Sequence, residues 1–174
     1  MKPTALFAVI VLAMLSICPR GVSAQEFKNG DFSKGTEGWS VSFQNELTAK
    51  VAAVPDAFQG KPALVIEVPE TDNDPWKGRL SQNVAFPGPG SYTISFFAKV
   101  EPGDDDEIKV SNWSDAQQNL KMGGAKFKLQ NDWQECSCTI CVEAGTPKVL
   151  IIWSGLAKGG KTFSFANFRI TKDE

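Results

Sequence analysis

"SYTISFFAKV", Ser91 to Val100, decides the fold. Read by twos, it puts Tyr92, Ile94, Phe96 and Ala98 on one side and Thr93, Ser95, Phe97 and Lys99 on the other. An amphipathic helix repeats its apolar residues every three or four positions, whereas strict alternation marks a strand with one buried face. The same beat recurs in both directions along the chain. "RLSQNVAF" groups Leu80, Gln82, Val84 and Phe86. "EIKVSNW" separates Ile108, Val110 and Asn112 from Lys109, Ser111 and Trp113. "ECSCTICV" separates Cys136, Cys138, Ile140 and Val142 from Ser137, Thr139 and Cys141. Breakers punctuate these runs: "NG" at 29–30, "FQGKP" at 58–62, "PGPG" at 87–90, "MGG" at 122–124 and "KGGK" at 158–161. The count comes to roughly eight to ten strands, which predicts an all-β chain, a single sandwich of two antiparallel sheets of the jelly-roll kind.

The first residues read differently. Lys2 gives a positive start, "ALFAVIVLAML" an apolar run short for a membrane span, and "VSA" a small-residue cleavage site. This order predicts a secretory signal peptide over 1–24, cleaved after Ala24, and one domain over 25–174. The expected location is secreted or periplasmic. No second apolar run reaches spanning length, so no membrane span is expected.

Composition narrows the chemistry. The chain is 42% hydrophobic and 22% charged, an ordinary globular balance. Removing Lys2 and Arg20 with the leader leaves 16 basic against 20 acidic residues, a net charge of about −4. Nothing there neutralises phosphates, so nucleic acid is not an expected partner. The chain has no histidine, which excludes Ser-His-Asp and Cys-His nucleophile systems and His-based metal sites. Cys136 and Cys138 are two apart on one strand, a separation and direction that a disulfide does not accept. They read as small core residues, and Cys141 as an outward thiol. The acids of "EPGDDDE" (101–107) read as a solvated turn, and Glu67 and Glu135 as isolated strand carboxylates, so an enzyme using paired carboxylates is not expected.

Five segments arrive in a familiar order: "NGDFSKGTEGWS", "PALVIEV", "DPWKGRLSQNVAFPGPGSYTISFFAKV", "NDWQECSCTICV" and "KTFSFANFRI". Their order and content resemble carbohydrate-binding modules of families 4, 9 and 22, jelly rolls of the galactose-binding-like type. The resemblance covers nearly all of 25–174 and is weakest over 111–128. Within it, Asn29-Gly30 is a turn after a first short strand, Phe32 enters the core, and Gly35 and Gly38 turn the chain back. Trp39 then caps the end of the sandwich. Trp133 is expected in the core, and Gln82 as a buried amide bonded to backbone. The resemblance also implies a calcium ion held between the opening motif and the last strand. Ser33 and Ala166-Asn167 depart from the acids usual there and leave Asp31 and backbone carbonyls, so no cofactor is required for the expected function.

Sugar rings present apolar faces and polar edges, which aromatic rings and amide, hydroxyl or charged groups match. The resemblance places an aromatic at Trp76 beside a glycan groove, with Arg79 projecting near it. Phe97 and Trp113 stand opposite the core sets of their strands and need a groove or a cover. Asn112, Gln117 and Gln118 surround Trp113 with amides. Trp153, in "VLIIWSG", lies in a run apolar on both sides. The expected function is that of a secreted, non-catalytic module. It would bind a poly- or oligosaccharide through Trp76, Arg79, Phe97, Asn112, Trp113, Gln117 and Trp153. The alternative is an envelope or extracellular module that uses the same face for a protein partner or a separately encoded enzyme.

Overall fold

The computed structural model describes residues 26–44, 47–103, 106–113, 125–145 and 148–174. The expected leader and Gln117 lie outside them. Ten strands appear among the described residues: β1 (Ser40–Phe43), β2 (Lys50–Phe58), β3 (Lys61–Glu67), β4 (Gly78–Ala85), β5 (Gly90–Glu101), β6 (Asp106–Trp113), β7 (Lys126–Leu129), β8 (Gln134–Val142), β9 (Lys148–Ser154) and β10 (Thr162–Lys172). They form two five-stranded sheets, β1-β4-β9-β6-β7 and β2-β3-β10-β5-β8. Each strand pair is antiparallel. Sequential strands share a sheet only at β2–β3 and β6–β7; the other connections cross from one sheet to the other. This interleaving is what makes the sandwich a jelly roll.

The alternation in the sequence is the burial of the strands. Tyr92, Ile94, Phe96 and Ala98 face inward from β5, and Leu80, Gln82 and Val84 face them from β4. Ile108 and Val110 of β6 and Cys136, Cys138, Ile140 and Val142 of β8 complete the pattern. Gln82 is the polar member of this set. Its side chain accepts from the Lys28 amide at 2.7 Å and donates to the Lys28 carbonyl at 3.0 Å. That pairing satisfies a buried amide on both sides and pins the opening segment to β4. The β2–β3 hairpin turns at Gln59 and Gly60, with φ of 50° and 72°, the two left-handed residues that a two-residue hairpin with the right twist requires.

The opening stretch closes one end of the sandwich, though without the first strand expected there: residues 28–38 are almost entirely turn. Phe32 is buried, and Trp39 packs 5.5 Å from Phe27, 4.5 Å from Phe168 and 5.7 Å from Trp153 between ring centroids. Its indole N–H donates to the Asn29 carbonyl at 3.0 Å. From β10, a bulge at Asn167 (φ 54°) shifts the register between Ala166 and Arg169. The extra residue lets Phe165 and Phe168 both turn inward. The Phe168 amide then donates to the Gly30 carbonyl at 2.9 Å, joining the last strand to the opening turn.

Two expectations about large aromatics and acids change here. Trp133 is half-buried and lies on the outer face of the second sheet, with Phe58 at 4.9 Å and Phe97 beside it. The ring joins a small satellite cluster with Phe58, Ala63, Ala166 and Phe97, while the outward side chains of β8 itself stay exposed. The "DDDE" acids are not simply a solvated tip. Asp106 turns inward from the start of β6 and pairs with Lys158 and, at 3.1 Å, with Lys161. Glu67 is paired too, with Lys50 at 3.0 Å.

Candidate functional site

Strand pairing decides which outward residues meet. In the first sheet β9 lies between β4 and β6. Ser154 therefore stands opposite both Arg79 and Lys109, and Lys109 opposite Lys126. One row further, Ile152 stands opposite Ser81 and Ser111; beyond that, Leu150 stands opposite Asn83 and Trp113. The first two rows floor a trough of about 450 Å³ lined by Trp76, Arg79, Lys109, Ser111, Lys126, Ile152 and Ser154.

Trp76 forms one wall. It sits in a single 3-10 turn, Pro75–Lys77, just before β4. Asp74 caps this turn by accepting from the Trp76 amide at 3.0 Å, and Pro75 presets its first dihedral. The indole is 39% exposed, which is high for an anchored tryptophan. Behind it, Gly155 has φ 99°, and a Cβ there would come 3.4 Å from the ring. Lys126 reaches toward its face, with Nζ 5.9 Å from the ring centroid, and is held by Glu107 at 2.7 Å. A second recess of about 180 Å³, lined by Asp106, Glu107 and Lys158 among others, also borders the ring. Trp76 is thus a flat apolar wall above a polar floor.

Of the other expected site residues, Trp113 does not line the trough itself. It stands on the same outer face, four residues past Lys109 and so about 13 Å along the strand. Phe97 belongs elsewhere. It projects from β5 on the second sheet, where it packs 4.7 Å from Phe58. Opposite outer faces of a sandwich share no groove. Asn112 turns inward with Ile108 and Val110 and is only 9% exposed, as its own alternation dictates. Trp153 is fully buried among Phe27, Trp39, Phe96 and Phe168. It belongs to the inner face of β9, and it packs the core. Lys109 and Ser111 were legible as neighbours of Trp113 on the outward side of "EIKVSNW". Ile152, Ser154 and Lys126 join the trough only through strand order, for which the sequence carries no local signal.

No protein-family model matches the chain, and no curated protein matches it. Solved structures do. A family 4 carbohydrate-binding module superposes with a TM-score of 0.67 at 19% identity, over 84% of this chain and 99% of that one. A family 61 module in complex with β-1,4-galactotriose gives 0.62 at 22% identity, over 87% and 100%. This chain shares the jelly-roll fold of these modules. In the module-plus-xylanase structure from Clostridium thermocellum complexed with xylohexaose, the match gives 0.61 at 15% identity and spans 87% of this chain and 29% of that one.

The resemblance places a calcium ion between the opening motif and the last strand, where the oxygens of that region would have to hold it. A calcium ion takes six to eight oxygens. Here the Asn29 amide nitrogen donates to the carbonyls of Gly35 at 2.9 Å and Glu37 at 3.1 Å, and its oxygen accepts from the Lys34 amide. The Ser33 amide and hydroxyl both donate to Asp31 and hold its carboxyl below the usual range. Asn167 accepts from Arg169 at 3.3 Å. These hydrogen bonds knit the opening turn together through Asn29 and Asp31.

The thiols divide as their strand alternates. Burial pushes Cys136 and Cys138 up to about 11, and Cys141 is exposed. Native protein at pH 8 should therefore lose only Cys141, among these three, to a thiol reagent; prompt labelling of all three would contradict the packing of β8. Because the folded values exceed the ordinary 9.0, the unfolded chain releases these protons first. Stability should fall as pH rises from about 9 toward 11.

Proposed function

We propose that this chain is a secreted or periplasmic, non-catalytic carbohydrate-binding module that takes a poly- or oligosaccharide along the trough of the first sheet. The observation that carries the reading is the exposed Trp76 indole, held rigid over a floor of Ser111, Ser154, Arg79 and Lys109. A ring stacked on the indole brings its edge hydroxyls to those groups. Trp113, on the same face, offers a second stacking surface farther along the strands. A protein-docking surface would present a flat patch with an apolar centre; this face is concave and rowed with hydroxyls and charges.

Glycoside hydrolysis needs two carboxyl groups facing across the cleft. Among the described residues, no carboxylate lines the trough. The signal-like leader supports export, and no helix among the described residues is long and apolar enough to cross a membrane. The test is affinity electrophoresis against a panel of soluble polysaccharides. At least one should retard the protein and remain unhydrolysed; a panel that retards nothing would overturn the reading.

The same proposal includes independence from calcium. Adding a chelator should leave both Tm and retardation unchanged. A drop of several degrees in Tm on chelation, restored by added calcium, would contradict it.

A further inference from the structure

Among the described residues the two sheets end in four edge strands, β1, β7, β2 and β8. Three of these edges are guarded. β1 and β7 are four residues each, and β7 carries Lys126 and Lys128. β2 is interrupted by Pro55 and by Asp56 at φ 56°, with a register shift between Val54 and Phe58. Short strands, lysines, prolines and bulges keep a sheet edge from pairing with another chain. β8 has none of these devices. It runs nine residues in unbroken register with β5, from Gln134 opposite Ala98 to Val142 opposite Gly90. It holds no proline and no lysine, and Glu135 is its one charge. Among the described residues no strand lies on its free side, where every second residue turns its N–H and C=O away from β5.

We propose that β8 pairs with β8 of a second copy of this chain, antiparallel about a two-fold axis at Cys138. The two second sheets then run on as one. This register is the one that uses all nine residues. It sets Gln134 opposite Val142, Glu135 opposite Cys141, Cys136 opposite Ile140 and Ser137 opposite Thr139 of the other copy. Like charges directly opposite each other destabilise a strand pair, and here there are none: the two Glu135 carboxylates stand six places apart, about 20 Å along the strands. The exposed side chains brought together, Ser137 with Thr139, are small. This fit of the strand to its own reversal favours a second copy over a foreign strand. Growth stops at two, because the sheet's other edge is the interrupted β2. Antiparallel pairing also keeps each side chain on its own side, so Cys136, Cys138 and Ile140 turn toward the first sheet in both copies. Both first sheets thus cover the same side of the joined sheet, and both troughs open in one direction. With the trough as the glycan site, the dimer is a bivalent binder suited to a polysaccharide surface; the bivalency rests on the proposed function, and the pairing does not.

Sedimentation equilibrium from micromolar to millimolar protein should show one copy going over to two. Glu135→Cys tests the register in a Cys138→Ala background, which clears the thiols at the axis. The new thiol stands opposite Cys141 of the other copy, so mild oxidation should give a covalent dimer that reductant breaks. The background alone should give none, since its two Cys141 thiols lie about 20 Å apart along the strands. Ser137→Lys with Thr139→Lys sets like charges opposite each other twice. It should weaken dimerisation roughly tenfold against Ser137→Lys with Thr139→Glu, at similar Tm. The double lysine variant should also hold less well to immobilised polysaccharide while its affinity for a short soluble fragment is unchanged. A dimer that binds no glycan would remove the trough as a site and leave the pairing standing. A protein that stays one copy at every concentration would overturn the inference and leave the edge to a strand of another protein. So would a dimer that E135C does not cross-link and that both double variants form alike, since its contact then lies elsewhere.

Discussion

Trp153→Ala should destabilise the protein by about 3–5 kcal/mol, the range for emptying a large aromatic site in a packed core. Typical domains are held by only about 5–15 kcal/mol, so this is a large share. For a domain of this size it lowers Tm by roughly 10 °C. The reason lies in the neighbours: Phe27, Trp39, Phe96 and Phe168 all sit between 5.0 and 5.8 Å from this ring, and their shared cluster seals the end of the sandwich. Trp153→Phe should cost much less. The indole N–H has no hydrogen-bond partner among the described residues, and phenylalanine removes that buried donor along with part of the ring. Thermal melts of the two variants check the order. Equal Tm for Trp153→Ala and wild type, or a loss of glycan binding at unchanged Tm, would place this ring in the site and not in the core.

Trp76→Ala should do the reverse. Affinity for the bound polysaccharide should fall by about 2–4 kcal/mol, the size of an anchoring tryptophan's contribution to an interface, which takes a modest binder beyond detection. Stability should change by about 1 kcal/mol or less, because the ring stands partly exposed at the rim of the trough and belongs to neither core cluster. Trp76→Phe should keep part of the affinity, since a smaller ring still stacks. Paired melts and affinity electrophoresis separate the two effects. A strong loss of Tm with retained retardation would make Trp76 a structural rim residue.

Alternation made most of the architecture legible. Once "SYTISFFAKV" is a strand with Tyr92, Ile94, Phe96 and Ala98 inward, the other runs follow the same rule, including the polar Gln82 and the small Cys136 and Cys138. Asn112 obeys that rule as well; its amide chemistry suggested a site, but its parity on β6 sends it inward. Alternation tells inside from outside and not one outside from the other. Phe97 and Trp113 look equivalent in sequence, yet β5 and β6 belong to different sheets. Trp153 was hidden by a run apolar on both sides, in which Leu150 and Ile152 turn to the trough face and Val149, Ile151 and Trp153 to the core. The site itself depends on β9 lying between β4 and β6. That is a long-range pairing, and no local pattern encodes it.

The most direct test follows the five tryptophans by their indole N–H signals in a heteronuclear NMR titration with the polysaccharide fragment that binds best. The trough account predicts that the Trp76 signal moves most, that Trp113 moves with longer fragments, and that Trp39, Trp133 and Trp153 stay in place. Movement of Trp133, on the opposite face, with Trp76 unmoved would contradict it.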